Sequence, residues 1–172
     1  MADSYRLTVL KRLTVLLEGI VPTAIDGVAL PSTLAGVVFR GRSVYGDKDP
    51  ITMLSILEAP RPFGAVFSAD DKNRKETWPL LLQGWCPDAK INPTDNVYSL
   101  LEDCEIRLQL VVQDDIGLPN SHYMLGDSLD GDGKLITSFQ AGPPVVRPPT
   151  EGVSSKSFFY LPLQVGLARI SR

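Results

Sequence analysis

The sequence is poor in the residues that enzymes most often use for catalysis and metal binding. Its 172 residues include one histidine, His122, and two cysteines, Cys86 and Cys104. A catalytic histidine needs a positioned partner, and no spacing around His122 suggests one. The cysteines are not spaced like zinc ligands, and the chain has no nucleophile elbow, phosphate-binding loop or dinucleotide-binding fingerprint. We therefore predict that the chain is not an enzyme and has no catalytic residue, metal ion or cofactor.

Long apolar runs are also missing, which bears on the compartment. No stretch reaches the roughly 18 apolar residues that a membrane-spanning helix needs. A secretory signal has an unbroken apolar region, whereas the N-terminal segment is interrupted by charges at Arg6, Lys11, Arg12 and Glu18. We therefore predict a helix that stays in the mature chain, and no membrane contact. Two cysteines make no secreted disulfide framework, so buried free thiols are expected, with a Cys86–Cys104 pair as the alternative.

The composition is that of an ordinary globular protein. Hydrophobic residues make up 44% of the chain and charged residues 22%, both near globular averages. The net charge of −3 disfavours sequence-specific nucleic-acid binding, which usually relies on a basic face. The length predicts one domain over residues 1–172, with long loops at residues 60–77 and 117–134.

Two segments have the periodicity of amphipathic helices. Leucines recur at three- and four-residue steps through residues 3–19, with Asp3 or Ser4 as the N-cap. A second helix is predicted to begin at Thr94 or Asp95, because these residues cap helices well. Its apolar stripe consists of Val97, Leu100, Leu101, Cys104, Leu108, Val111 and Val112.

Other segments have the composition of β-strands. Residues 36–60 contain two apolar runs around a polar turn, which predicts a β-hairpin. Residues 78–85 form a further strand, in which Trp78 and Trp85 are seven positions apart and therefore face opposite sides. One tryptophan is then a core residue and the other can make a contact. The predicted fold is α+β, a mostly antiparallel β-sheet with two helices packed on one face.

The last strand is predicted from strict alternation. Apolar side chains occupy every second position of 159–167, which is typical of a half-buried strand. Pro162 cannot donate a ladder hydrogen bond, so the strand should lie at a sheet edge or contain a bulge there. Phe158 and Tyr160 fall on the other face, and exposed aromatic side chains usually need a partner to cover them. We therefore predict that both belong to a partner interface.

A second part of the predicted interface is the tip of the hairpin. Its members are Arg40, Arg42, Tyr45, Asp47 and Lys48. Arg40 and Arg42 share one face if the strand continues through Gly41. Arginine is enriched at protein interfaces, although a solvated hairpin edge explains the same residues equally well.

One aspartate-rich stretch partly matches a calcium-binding loop. When Gly133 is placed at the required glycine, Asp130 and Asp132 occupy two ligand positions. Ser128 and Phe139 then stand where an aspartate and a bidentate glutamate are needed. Aspartate and glycine are also ordinary turn residues. A turn is therefore favoured, and a small ligand- or calcium-binding module is kept as an alternative function.

The arrangement of the whole chain resembles bacteriophage tail-terminator proteins of the lambda-U-like family. The resemblance rests on the helix YRLTVLKRLTVLLEGI followed by the strand VFRGR, and on GWCPDAKINPTDNVYSLLEDCEIRL, where a strand leads through a proline turn into a helix. The closing GPPVVRPPTEGVSSKSFFYLPLQVGLARI, a hairpin that ends on a long strand, is the third part.

This resemblance implies a structural virion protein that forms a ring, expected to be a hexamer. Such a ring caps the tail tube, stops its polymerisation and joins the tail to the head connector. The implied partners are further copies of the chain, the tail-tube protein and a connector or neck protein, with DNA passing through the ring. The implied location is the virion, and the host cytoplasm during assembly. Another neck, head-closure or minor tail protein is the nearest alternative.

Overall fold

A computed structural model describes most of the chain. The described residues are 3–23, 32–46, 48–59, 76–89, 91–114, 121–129, 131, 133–150 and 156–167. They form a six-stranded sheet with two helices on one face, as predicted. The strands are β1 Val38–Arg40, β2 Met53–Glu58, β3 Glu76–Cys86, β4 Ile136–Ala141, β5 Val145–Arg147 and β6 Ser157–Leu167. The helices are α1 Tyr5–Glu18 and α2 Asp95–Gln109.

Both helices begin where the sequence predicts. Ser4 caps α1, and its side chain accepts a hydrogen bond from the Leu7 amide, which satisfies one of the open donors of the first turn. Thr94 is the N-cap of α2. The apolar stripe of α2 is buried from Val97 to Val111, but Val112 lies beyond the end of the helix and is 47% exposed.

The sheet order is β1-β2-β3-β6-β4, and β5 pairs with β6 beyond the end of β4. The predicted hairpin over residues 36–60 is wrong, because β1 and β2 are parallel, with Val38 opposite Leu54 and Arg40 opposite Ile56. Parallel neighbours need a crossover connection rather than a tight turn. Residues 41–52 make that connection. All other strand pairs are antiparallel.

Of the two alternatives predicted for β6, an edge position or a bulge at Pro162, the edge position is wrong, because this strand lies inside the sheet. It pairs with β3 along its whole length on one side and with β4 and β5 on the other. The carbonyl of Pro162 accepts from the amide of Gly142, at 2.8 Å, where the chain passes from β4 to β5. The amide and carbonyl of a strand residue point the same way. The missing donor of Pro162 therefore faces the break between two short strands, where no ladder bond is lost.

The main core lies between the helices and one face of the sheet, called here the helix face. The predicted alternation of β6 is confirmed, since Phe159, Leu161, Leu163, Val165 and Leu167 are all buried there. Cys86 and Cys104 belong to the same core and are free thiols, as expected. The tryptophans face opposite sides of the sheet as predicted, but both are buried, so the contact role expected for one of them is wrong. Trp78 is in this core, and Trp85 is buried on the opposite, far face.

Candidate interaction surface

The two arginines of the predicted interface lie on opposite faces of the sheet. Gly41 has a φ of 74°, a left-handed conformation that ends the strand. Arg40 remains on the helix face, where its guanidinium donates to the Thr14 hydroxyl at 3.0 Å. Arg42 turns to the far face, 4.0 Å from the centre of the Phe39 ring. The expectation of one shared arginine face is therefore wrong, because the strand does not continue through Gly41.

The connection after Gly41 lies against the far face. Arg42 forms an ion pair with Asp49, and Asp49 accepts from the Gly46 amide at 2.7 Å, so the segment is closed upon itself. The Tyr45 ring lies 6.5 Å from the Trp85 ring. Lys48 is exposed, and Asp47 lies outside the described residues. What was predicted as a projecting hairpin tip is thus a segment packed on the sheet.

Phe158 is buried rather than exposed. It is 6% exposed and packs with Met53 and Trp85, and Phe39, Tyr45 and Tyr160 lie around them. We call these six residues the aromatic cluster. Tyr160 is half-buried and meets Phe158 edge to face, with ring centres 5.4 Å apart, a favoured aromatic geometry. Phe158 is covered by its own chain, and Tyr160 remains partly available.

Sequence reasoning missed two residues of this region, Phe39 and Lys156. The ammonium of Lys156 lies 5.0 Å from the centre of the Tyr45 ring, within the range of a cation–π contact. The alternation of β3 indicated that Trp85 faces away from Trp78, but nothing local indicated that residues 42–46 would cover it.

Beyond the aromatic cluster, the far face carries an apolar row. Leu57, Leu81 and Pro162 are direct neighbours across β2, β3 and β6. All three are half-buried. They belong to neither of the buried clusters of the described residues. Apolar residues grouped on one sheet face are a suitable contact surface for another protein.

The two ends of the sheet are different open edges. No described residue pairs with the outer side of β1 or with the outer side of β4. Beside β4 lies a groove of about 390 Å³ between this strand and α2. Its lining residues are Glu105, Leu108, Gln109, Val112, Phe139 and Ala141. An open strand edge with an adjoining groove can accept an additional strand.

The aspartate-rich stretch closes as a turn where it is described. Asp127 and Lys134 form a β-bridge, and their side chains are 3.0 Å apart in an ion pair. Gly131 and Gly133 have φ values of 78° and 88°, which suit glycine in a tight turn. The proposed ligands Asp130 and Asp132 lie outside the described residues. Elsewhere in the described chain, no three His, Cys, Asp or Glu residues lie close enough to hold a metal ion.

Three titratable groups in or beside the main core have shifted pKa values, His122, Cys86 and Cys104. His122 lies with Lys11 and Arg12 at a cavity of about 230 Å³, and burial, together with Arg107, lowers its pKa. Burial raises the pKa of the Cys86 thiol to about 12 and that of Cys104 well above its ordinary value. Both cysteines are therefore uncharged and poor nucleophiles in the folded chain.

Neither family models nor curated proteins match this sequence. Among the helices of the described residues, none is long and apolar enough to cross a membrane. The candidate interaction surface therefore comprises the open edges of the sheet and the apolar row of its far face.

Proposed function

We propose that this chain is a structural subunit of a bacteriophage tail, a tail terminator that assembles into a ring. The observation that carries the proposal is the difference between the two ends of the sheet, β1 and β4, whose outer sides are unpaired among the described residues. Head-to-tail contacts need two different surfaces on each subunit, and they close into a ring by rotation. The resemblance in chain layout to lambda-U-like proteins supplies the tail as the site of assembly.

In this proposal the ring caps the last ring of the tail tube, stops tube polymerisation and contacts the head connector. The apolar row Leu57, Leu81 and Pro162 gives each subunit a further surface that the tube or connector protein can cover. DNA passes through the ring without being read. The assembled protein belongs to the virion, and unassembled subunits are in the host cytoplasm.

The oligomeric state is the first test. Light scattering on the purified protein, over a range of concentrations, should give a particle of about six times the 18.8 kDa chain mass. Electron microscopy should show a ring with a central opening. A chain that stays monomeric at the highest concentration and also in the presence of tail tubes would contradict the proposal.

The tail-tube protein provides the functional test. Purified tube protein should polymerise into long tubes on its own, and addition of this chain should stop elongation. A gold-labelled chain should then mark one end of each tube. Labelling that appears only on connector particles, with tube length unchanged, would favour the alternative of another neck or head-closure protein.

A further inference from the structure

One long edge of the sheet is built from two strands of unlike composition. The strand β5 is flanked by Pro143, Pro144, Pro148 and Pro149, and prolines deprive an edge of amide donors. The strand β4, with the sequence ITSFQA, contains no proline and no charge. Uncharged strands rich in β-forming residues readily pair with another chain. The edge is therefore blocked around β5 and open along β4.

The outward hydrogen-bonding groups of β4 follow from its pairing with β6. The Gly142 amide donates to the Pro162 carbonyl, so the backbone groups of Gly142 point towards β6. Alternation along the strand gives Gln140 the same direction, and it leaves the amides and carbonyls of Phe139 and Ala141 pointing outwards. The Phe139 side chain lies in the main core, so both side chains are on the helix face.

The outward groups of β1 follow in the same way. The Val37 carbonyl accepts from Leu54, and the Gly41 amide donates to Ile56, so both point towards β2. Val38 and Arg40 then direct their amides and carbonyls away from the sheet. Their side chains are also on the helix face, since Val38 is in the main core and Arg40 bonds to Thr14.

The two edges are complementary in direction as well. The strand β1 is parallel to β2, and three antiparallel steps lead from β2 to β4, so β1 and β4 run in opposite directions. We propose that β4 of one copy pairs with β1 of the next, with Val38 opposite Ala141 and Arg40 opposite Phe139. Rotation about an axis parallel to the strands relates each copy to the next, so all copies keep the same strand direction and have their helices on the same side of the ring. The contact between β4 and β1 is therefore antiparallel at every subunit boundary. This inference rests on the ring of the proposed function.

Charge and space at the groove favour β1 as the occupant over a second β4. Glu105 lines the groove, and an incoming β1 places the Arg40 side chain on that same face. Two β4 edges paired about a two-fold axis would instead bring the Glu105 side chains of both copies to the same seam. Like charges at an interface are unfavourable, and opposite charges fix the register.

A disulfide trap tests this pairing directly. Val38→Cys with Ala141→Cys in the full-length chain places two thiols opposite each other, at a Cα separation of about 5.5 Å, which suits a disulfide. After oxidation, a non-reducing gel should show a ladder of linked chains that ends at the ring. The native thiols are buried, so the parent chain should give no ladder.

The single-cysteine variants are the matched controls. Neither Val38→Cys alone nor Ala141→Cys alone should form a ladder. A dimer from Ala141→Cys alone would overturn the inference in favour of β4 pairing with itself. Rings that assemble without any ladder in the double variant would overturn the pairing and leave the proposed function standing. A parent chain that forms no ring even in the presence of tail tubes would overturn both.

Charge exchange gives a second, independent readout. Arg40→Glu and Glu105→Arg should each raise the concentration needed for half-assembly by about tenfold, and the double exchange should restore it. Lys11→Glu changes the net charge equally on the surface of α1 and is the control. Circular dichroism checks that every variant is folded. Failure of the double exchange to restore assembly in folded protein would remove Arg40 and Glu105 from the contact.

Discussion

The two faces of the sheet are buried by different means. The helix face is covered by two helices whose buried apolar residues share one core with residues of β1, β2, β3, β4 and β6. The far face is covered only in part, by the connection between β1 and β2, whose Arg42 and Tyr45 lie against Phe39 and Trp85. The apolar stripe of an amphipathic helix repeats along the helix and can bury a large continuous core. A connecting segment has no such repeat and buries only the side chains that it contacts. The larger core lies on the helix face, and we propose that other proteins contact the far face and the edges.

The largest expected effect concerns the helix face alone and is the protection of its two thiols. Cys86 and Cys104 both lie in the helix-face core with raised pKa values. Their labelling by a thiol reagent at pH 8 should therefore require unfolding, and it should be slower than in denaturant by a factor of about 10³ or more. Labelling that is quenched at successive times and analysed by mass spectrometry measures this rate. Rapid native labelling would mean that the helix layer opens easily.

Neighbouring phenylalanines on β6 provide a matched pair for the two faces. Phe159 is fully buried on the helix face, and Phe159→Ala should lower the free energy of unfolding by about 3–5 kcal/mol, since it empties a core site that cannot collapse. Urea denaturation followed by tryptophan fluorescence measures the change.

Phe158→Ala is the far-face member of that pair. It should lower the free energy of unfolding by less, about 2 kcal/mol, because the remaining side chains of the small aromatic cluster can close over the emptied site. Equal losses for the two variants would show that the far-face cluster is as stabilising as the main core.

Tyr160→Ala should have a smaller effect on the isolated chain. The ring is half-buried and meets Phe158 edge to face, and such a pair contributes about 1 kcal/mol. The melting temperature measures this loss. Impaired ring formation in a variant that remains folded would show that Tyr160 also contacts a partner, as the sequence predicts, while unimpaired assembly would remove it from the interface.

The smallest effect should come from His122, at the rim of the helix layer. Burial and Arg107 hold its folded pKa below the ordinary 6.5, so folding favours the neutral imidazole. This contribution is fully present above pH 6.5 and is lost as the pH falls through the lowered folded value. His122→Gln should therefore reduce the decline of the melting temperature between pH 7.5 and 5.5. An equal decline of the melting temperature with pH in parent and variant would show that the imidazole has no role in stability.

Local pattern was enough for the helices and for the faces of the long strands. Ser4 and Thr94 were readable as caps, and the alternation of 159–167 identified the side chains of β6 that enter the main core. Periodicity reports burial directly, because a helix or strand must place its apolar side chains on one side. The same reasoning divided Trp78 from Trp85 between the two faces.

Tertiary structure alone decided which strands are neighbours and what covers the far face. The composition of residues 36–60 fits a hairpin as well as a parallel pair, because strand direction depends on the path of the connection. Pro162 suggested an edge, but a central strand tolerates it where its partners β4 and β5 break. Phe158 was expected to be exposed, since no local signal shows that it would pack with Met53 and Trp85 in a cluster that Tyr45 adjoins. The sequence by itself determined where apolar side chains recur with the period of a helix or a strand. The long-range packing of the chain determined which of these side chains are covered by other parts of the molecule.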